Sequence, residues 1–108
     1  MKPEYLVIFC TVPNEEVAQT ISESLVSENL AACVNIIKHV RSIYLWKSEI
    51  CDEGELLLII KSTVEAFASL ESKIQKLHPY EVPEILAIPV FRGNESYLAW
   101  IDENMKGK

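Results

Sequence analysis

The sequence predicts an α+β fold of ferredoxin-like type, βαββαβ with a C-terminal helix on an antiparallel sheet, and three observations carry that expectation. Apolar runs rich in β-formers and amphipathic helical stretches follow one another in the order β-α-β-β-α-β. The second and third strands are separated only by the polar stretch Lys47 to Gly54, too short for a helix, so they form a hairpin. Pro79 and Pro83 close the second helical pattern and stiffen the passage into the last strand, because proline fixes its own φ and pushes the preceding residue out of the helical region.

The first strand is Tyr5 to Thr11 (YLVIFCT), a continuous apolar run bounded by Pro3 and Pro13. Asn14 offers the N-cap of the first helix, about Asn14 to Asn29, with Glu15 and Glu16 in the first turn where the helix dipole favours anions. Val17, Ala18, Ile21 and Leu25 give that helix its apolar face. Ala32 to Trp46 reads as one long strand with a bulge near Lys38 or His39. Glu55 to Lys61 (ELLLIIK) is a strand apolar on both faces. Ser62 with Glu65 resembles a capping box for a helix over about Val64 to Leu77, on which Phe67, Leu70, Ile74 and Leu77 keep helical spacing. Ile85 to Phe91 is the fourth strand. After Gly93, Asn94 or Ser96 caps a last short helix carrying Tyr97, Leu98, Trp100 and Ile101, and the polar tail from Asn104 is expected to fray.

Right-handed crossovers then place strands one and three centrally and antiparallel, strand two outside three and strand four outside one. The end of strand one at Cys10 comes to lie beside Glu84, on the same edge as the hairpin. Both helices cover one sheet face, yet LVIFC, LLLII and ILAI are apolar on both faces. Another copy of the chain is the simplest cover for the second face, so a homo-oligomer is expected.

The 108 residues fit one domain, and a 49% hydrophobic share against 24% charged sets the chain apart from disordered sequences. A net charge of −6, with ten scattered Lys and Arg, argues against nucleic acid. No run approaches membrane-spanning length and no signal-peptide pattern is visible, which points to the cytoplasm and to no membrane partner. Cys10, Cys33 and Cys51 are an odd count without CxxC spacing, so reduced thiols are expected rather than a disulfide framework.

The rigid turn His78-Pro79-Tyr80-Glu81-Val82-Pro83-Glu84 displays an imidazole, a phenol and two carboxylates and is the first place to look for a site. Its plain alternative is a helix stop before an edge strand, with His78 bonding the last carbonyls of its helix. No Ser-His-Asp or Cys-His order, Gly-rich phosphate loop or HExxH motif appears, and no enzyme is expected.

Six blocks in order make the chain similar to the CutA family of divalent-cation tolerance proteins: Cys10 to Pro13, Leu30 to Ile36, Ser42 to Lys47, Leu57 to Lys61, His78 to Glu84 and Tyr97 to Ile101. The resemblance implies a ferredoxin-like subunit in a homotrimer with its sheets facing inward, and cytoplasmic binding of copper or another divalent metal without catalysis. It assigns the metal-binding cysteine to Cys10 and the histidine to His78. Leu77 stands where some members carry a second histidine, and Ser48 where a glycine is usual.

A thiolate and an imidazole suit copper or zinc, and Glu81, Glu84, a neighbouring subunit or water would have to complete the shell. The alternative for Cys10 is an inert thiol ending a buried strand. Cys33 is expected in the core, Cys51 in a polar connection, and His39 at a solvated or interface position. Trp46 and Tyr80 could line a cleft with Glu84 as polar anchor, or pack an interface. Trp100 and Tyr97 should pack the oligomer contact or the sheet edge. Three functions follow: a trimeric metal-binding protein of cation homeostasis, a small-molecule signalling trimer like the PII proteins, or a ligand-free scaffold.

Overall fold

The alternation of large apolar residues along β1 (Tyr5–Val12) decides where the core lies. Leu6, Ile8, Cys10 and Val12 are buried, while Tyr5, Val7, Phe9 and Thr11 between them are only half-buried on the other face. The computed structural model containing this strand describes residues 4–106; Pro3, expected to bound the strand, lies outside them. The remaining elements are α1 (Glu15–Ser27), β2 (Cys33–Trp46), β3 (Glu49–Thr63), α2 (Phe67–Leu77), β4 (Leu86–Pro89) and α3 (Glu95–Met105). The four strands form one antiparallel sheet in the order β2-β3-β1-β4, the order expected.

Both helices pack on the face of Ile8, Cys10, Leu58 and Ile60, to which α1 contributes Ala18, Ile21 and Leu25 and α2 contributes Leu70 and Ile74, all fully buried. Each buried Leu or Ile contributes about 1.5–3 kcal/mol of transfer free energy. Asn14 caps α1 as read, its side-chain oxygen accepting the Val17 N–H at 2.9 Å. The far end closes on Asn29 in the left-handed region (φ 60°), and the Leu30 N–H donates back to the Leu25 carbonyl at 2.8 Å in a Schellman arrangement.

The β2–β3 ladder shifts register between Ile37 and Val40, a bulge at the expected Lys38 and His39, with His39 at φ 64°. The polar connection expected over Lys47 to Gly54 is instead a two-residue turn, Lys47-Ser48, and Glu49 to Gly54 continue the strand opposite Arg41 to Trp46. Cross-strand pairing explains the difference: Arg41 forms a two-pronged ion pair with Asp52 at 2.6 and 2.9 Å, and the Tyr44 hydroxyl donates to Glu53.

The capping box expected at Ser62 and Glu65 does not form. Ser62 is fully buried in β3 and donates its hydroxyl to the Leu30 carbonyl at 2.7 Å. The Thr63 hydroxyl instead accepts the Ala66 N–H at 3.2 Å, and α2 begins at Phe67 rather than Val64. β4 is shorter than the expected Ile85 to Phe91. Ile85 packs into the core, Pro89 has no N–H to donate, and the chain leaves the sheet after the Val90 N–H bonds the Tyr5 carbonyl. Asn94 caps α3 by accepting the Tyr97 N–H at 3.0 Å. The helix runs through Asn104, where fraying was expected, because the Asn104 side chain donates to the Trp100 carbonyl and its own carbonyl accepts from Asn29.

Candidate functional site

The site grows from the end of α2. The His78 N–H closes the last helical turn on the Ile74 carbonyl at 2.8 Å, and Pro79 forces His78 itself into the extended region (φ −81°, ψ 133°). That bend aims the imidazole inward, where it is 7% exposed. Its Nδ1 accepts the Tyr80 N–H at 3.1 Å, so Nε2 carries the proton and donates it to the Thr11 carbonyl at 2.8 Å. Both ring nitrogens are engaged, and the ring packs against Tyr80 with centroids 4.7 Å apart. His78 therefore ties the turn to the end of β1.

Cys10 lies on the helix-covered face of β1 with no exposure. Its thiol is pushed up to about 12, first by burial and then by the negative charges of Glu84 and Glu55. A protonated, enclosed thiol is a poor metal ligand, since the thiolate is the coordinating form. Glu81 and Glu84 are exposed on the turn. Among the described residues no three His, Cys, Asp or Glu side chains converge as a metal centre. The fold thus brings Cys10, His78 and the two glutamates to one end of the sheet, as the topology led one to expect, but places thiol and imidazole behind the wall and the carboxylates in front of it.

In front of that wall is a cleft of about 530 Å³ between the turn and the outer end of the hairpin. Ser42, Ile43, Tyr44 and Trp46 of β2 form one side, Tyr80, Glu81, Val82 and Glu84 the other, with Thr11 and Glu55 at the base. The expected cleft residues Trp46, Tyr80 and Glu84 all line it. Glu55 was not foreseen as a site residue. It heads the apolar run of β3 and is only 6% exposed, and the Tyr80 hydroxyl donates to its Oε2 at 2.8 Å. The one sequence signal was an acidic residue opening an otherwise apolar strand. Burial and this bond to a carboxylate raise the Tyr80 hydroxyl well above its ordinary range, fixing it as a donor. The Lys47 ammonium sits 5.6 Å from the centre of the Trp46 ring, beyond the cleft lining.

The other candidates lie elsewhere. Cys33, expected in the core, is half-buried beside Tyr97, whose hydroxyl is shifted upward by burial and then by Cys33. Cys51 is half-buried within β3 rather than in a loop. His39 is exposed at the bulge. Tyr97 and Trp100 stack at 5.6 Å on the outside of α3.

Fold and cleft together define a ferredoxin-like protein that gathers carboxylates and aromatic faces at one end of its sheet. The chain belongs to the CutA1 family: the model of that family, the CutA1 divalent ion tolerance protein, matches residues 6–104. It is 52% identical over 98 residues to the divalent-cation tolerance protein CutA of Thermus thermophilus, covering 91% of this chain and 95% of that protein. It is 44% identical to human Protein CutA over 86% of this chain but spans only 52% of the human protein. The solved divalent cation tolerance protein (Cut A1) of Thermus thermophilus superposes with a TM-score of 0.92 at 50% identity, over 94% of this chain and 99% of that one. CutA1 of the psychrotrophic Shewanella sp. SIB1 gives 0.94 at 41% identity, over 99% and 100%. A homologue from Archaeoglobus fulgidus, 36% identical over 94% of this chain and 99% of that one with a TM-score of 0.91, is described as periplasmic. No helix among the described residues is long and apolar enough to cross a membrane.

Proposed function

We propose that this chain is a non-catalytic divalent-cation tolerance protein of the cytoplasm, one ferredoxin-like domain over residues 1–108 assembled as a homotrimer, with divalent ions meeting the acidic cleft. The names of its relatives support the tolerance role. Assembly is supported by the half-buried Val7, Phe9, Leu57 and Ile59 on the open sheet face and by Ile43, Leu45 and Ile50 on the hairpin, exposed by 63, 69 and 79%. The observation that carries the cation reading is the lining of the cleft, which holds Glu55, Glu81 and Glu84 and no lysine, arginine or histidine.

The case for copper or zinc rested on Cys10 and His78 as donors, and the chain uses both internally. Glu81 and Glu84 remain as exposed donors. Carboxylates alone favour harder cations and weak binding, with Kd on the order of 10⁻⁴ M or weaker. Calorimetric titration of reduced, metal-free protein with Mg(II), Zn(II) and Cu(II) tests this. Weak binding diminished by Glu81→Gln with Glu84→Gln, and indifferent to Cys10→Ser, is expected. Tight copper binding abolished by Cys10→Ser or His78→Ala and untouched by the glutamate changes would overturn it.

A small-molecule occupant is the second reading, favoured by the volume and the aromatic wall of the same cleft.

A further inference from the structure

The inner end of the cleft is built for something other than a bare metal ion. Glu55 is more than nine-tenths buried, and only its Oε2 has a hydrogen bond, from Tyr80. Among the described residues no lysine, arginine or histidine pairs with it, and its Oε1 opens to the solvent of the cleft: the one enclosed side-chain oxygen without a partner is Ser22 Oγ. A ligand ammonium donating to this cleft-facing oxygen would form a charge-assisted hydrogen bond at the partly desolvated base of the cleft. Tyr44, Trp46 and Tyr80 line the same space, and faces of such rings attract ammonium groups while covering methylene carbons. Glu81 and Glu84 stand on the exposed turn across the cleft, offering further negative charge away from Glu55.

Carboxylates in a cleft lined by aromatic rings suit a cation that also carries methylene groups. The carboxylates do not form a metal cluster among the described residues, and about 530 Å³ is far more than one coordinated ion requires. We propose that this cleft binds a short aliphatic diammonium or polyammonium compound, one ammonium donating to Glu55, the methylene chain lying along Trp46 and Tyr80, and a second ammonium reaching Glu84 and Glu81. A quaternary ammonium has no N–H for Glu55 and binds less well. The inference shares the acidic cleft with the metal reading and differs from it in the aromatic wall, which offers a metal ion no donor.

The test is calorimetric titration of the full chain, in its native assembly, with 1,4-diaminobutane, butylamine and tetramethylammonium at matched ionic strength. Saturable binding near one diamine per chain is expected, at least about tenfold tighter than either monocation. Glu55→Gln keeps the shape and the Tyr80 bond, and Trp46→Ala changes an exposed residue; each should weaken the diamine about tenfold or more, and Trp46→Ala should leave Mg(II) and Zn(II) titrations unchanged. Should Glu55→Gln fail to fold, Trp46→Ala carries the comparison by itself. Diamine binding that is absent, indifferent to these changes, or displaced by stoichiometric Mg(II) would overturn the proposal. Absence of Mg(II) and Zn(II) binding by the unchanged chain, with diamine binding intact, would overturn the metal reading alone.

Discussion

Cys10 makes a strong prediction because its thiol is held protonated by the fold. Its pKa rises from the ordinary 9.0 to about 12 in the folded chain, through burial and then through Glu84 and Glu55. A group whose folded pKa lies above its unfolded one contributes stability below the unfolded value and loses it as pH rises through the folded one. At about 1.4 kcal/mol per pH unit, the loss begins near pH 9 and reaches about 2–3 kcal/mol by pH 11. Tyr5, raised to about 12 chiefly by its 2.6 Å hydrogen bond to Asp102, also faces this alkaline limb, but it is partly solvated and contributes less. The Cys10 part is isolated by difference. Urea unfolding of the wild type and Cys10→Ala at fixed chain concentration, under reductant, is followed from pH 7 to 11. At pH 7 the variant should be about 1–2 kcal/mol less stable through lost packing, and the gap should close and reverse as pH approaches 11. A gap constant across that range, or native Cys10 reacting with a thiol reagent as fast as a free thiol, would refute the view of Cys10 as an enclosed, protonated core residue.

Ser48 at φ 68° and Lys47 at φ 49° hold a turn that favours glycine or asparagine, so Ser48→Gly should stabilise the chain by roughly 0.5–1 kcal/mol in thermal or urea unfolding. His78→Ala removes the bonds to Thr11 and Tyr80 and should cost about 2–4 kcal/mol, with hydrogen exchange of the Tyr80 amide rising sharply. Ile74→Ala empties a fully buried position between α2 and the sheet and should cost about 2–5 kcal/mol by the same unfolding assay. Ile59→Lys, on the open sheet face, should leave no folded trimer at low micromolar concentration by light scattering; an intact trimer would rule out that face as the subunit contact.

Much of this molecule was legible along the chain because its signals are local or periodic. Asn14 as a cap, the helical spacing of Ile21 and Leu25, the bulge at Lys38 and His39, and the stop at Pro79 all follow from residues within a few positions of one another. The element order then fixed which strands are neighbours. Errors arose where a distant partner outweighed local preference. Ser62 looks like a cap but is claimed by the Leu30 carbonyl across the sheet. Glu49 to Gly54 look like a loop, yet Arg41 and Tyr44 on the facing strand draw Asp52 and Glu53 into pairing.

The site divides in the same way. The proline-stiffened turn brought out His78, Tyr80, Glu81 and Glu84, the aromatic character of Trp46 suggested a cleft, the family resemblance pointed to Cys10 and His78 as ligands, and the topology put them at one end of the sheet. Which of them meets solvent was decided only in three dimensions. Strand pleat turns Cys10 inward, and the bend before Pro79 leads the His78 ring to the Thr11 carbonyl. Glu55 shows the reverse: unremarkable in sequence, it becomes the buried floor of the cleft because Tyr80, 25 positions away, closes over it. Sequence determines which groups share a neighbourhood, since periodicity and connectivity are properties of the chain. Burial and free hydrogen-bonding capacity are properties of the packed surroundings, and only the tertiary structure assigns them.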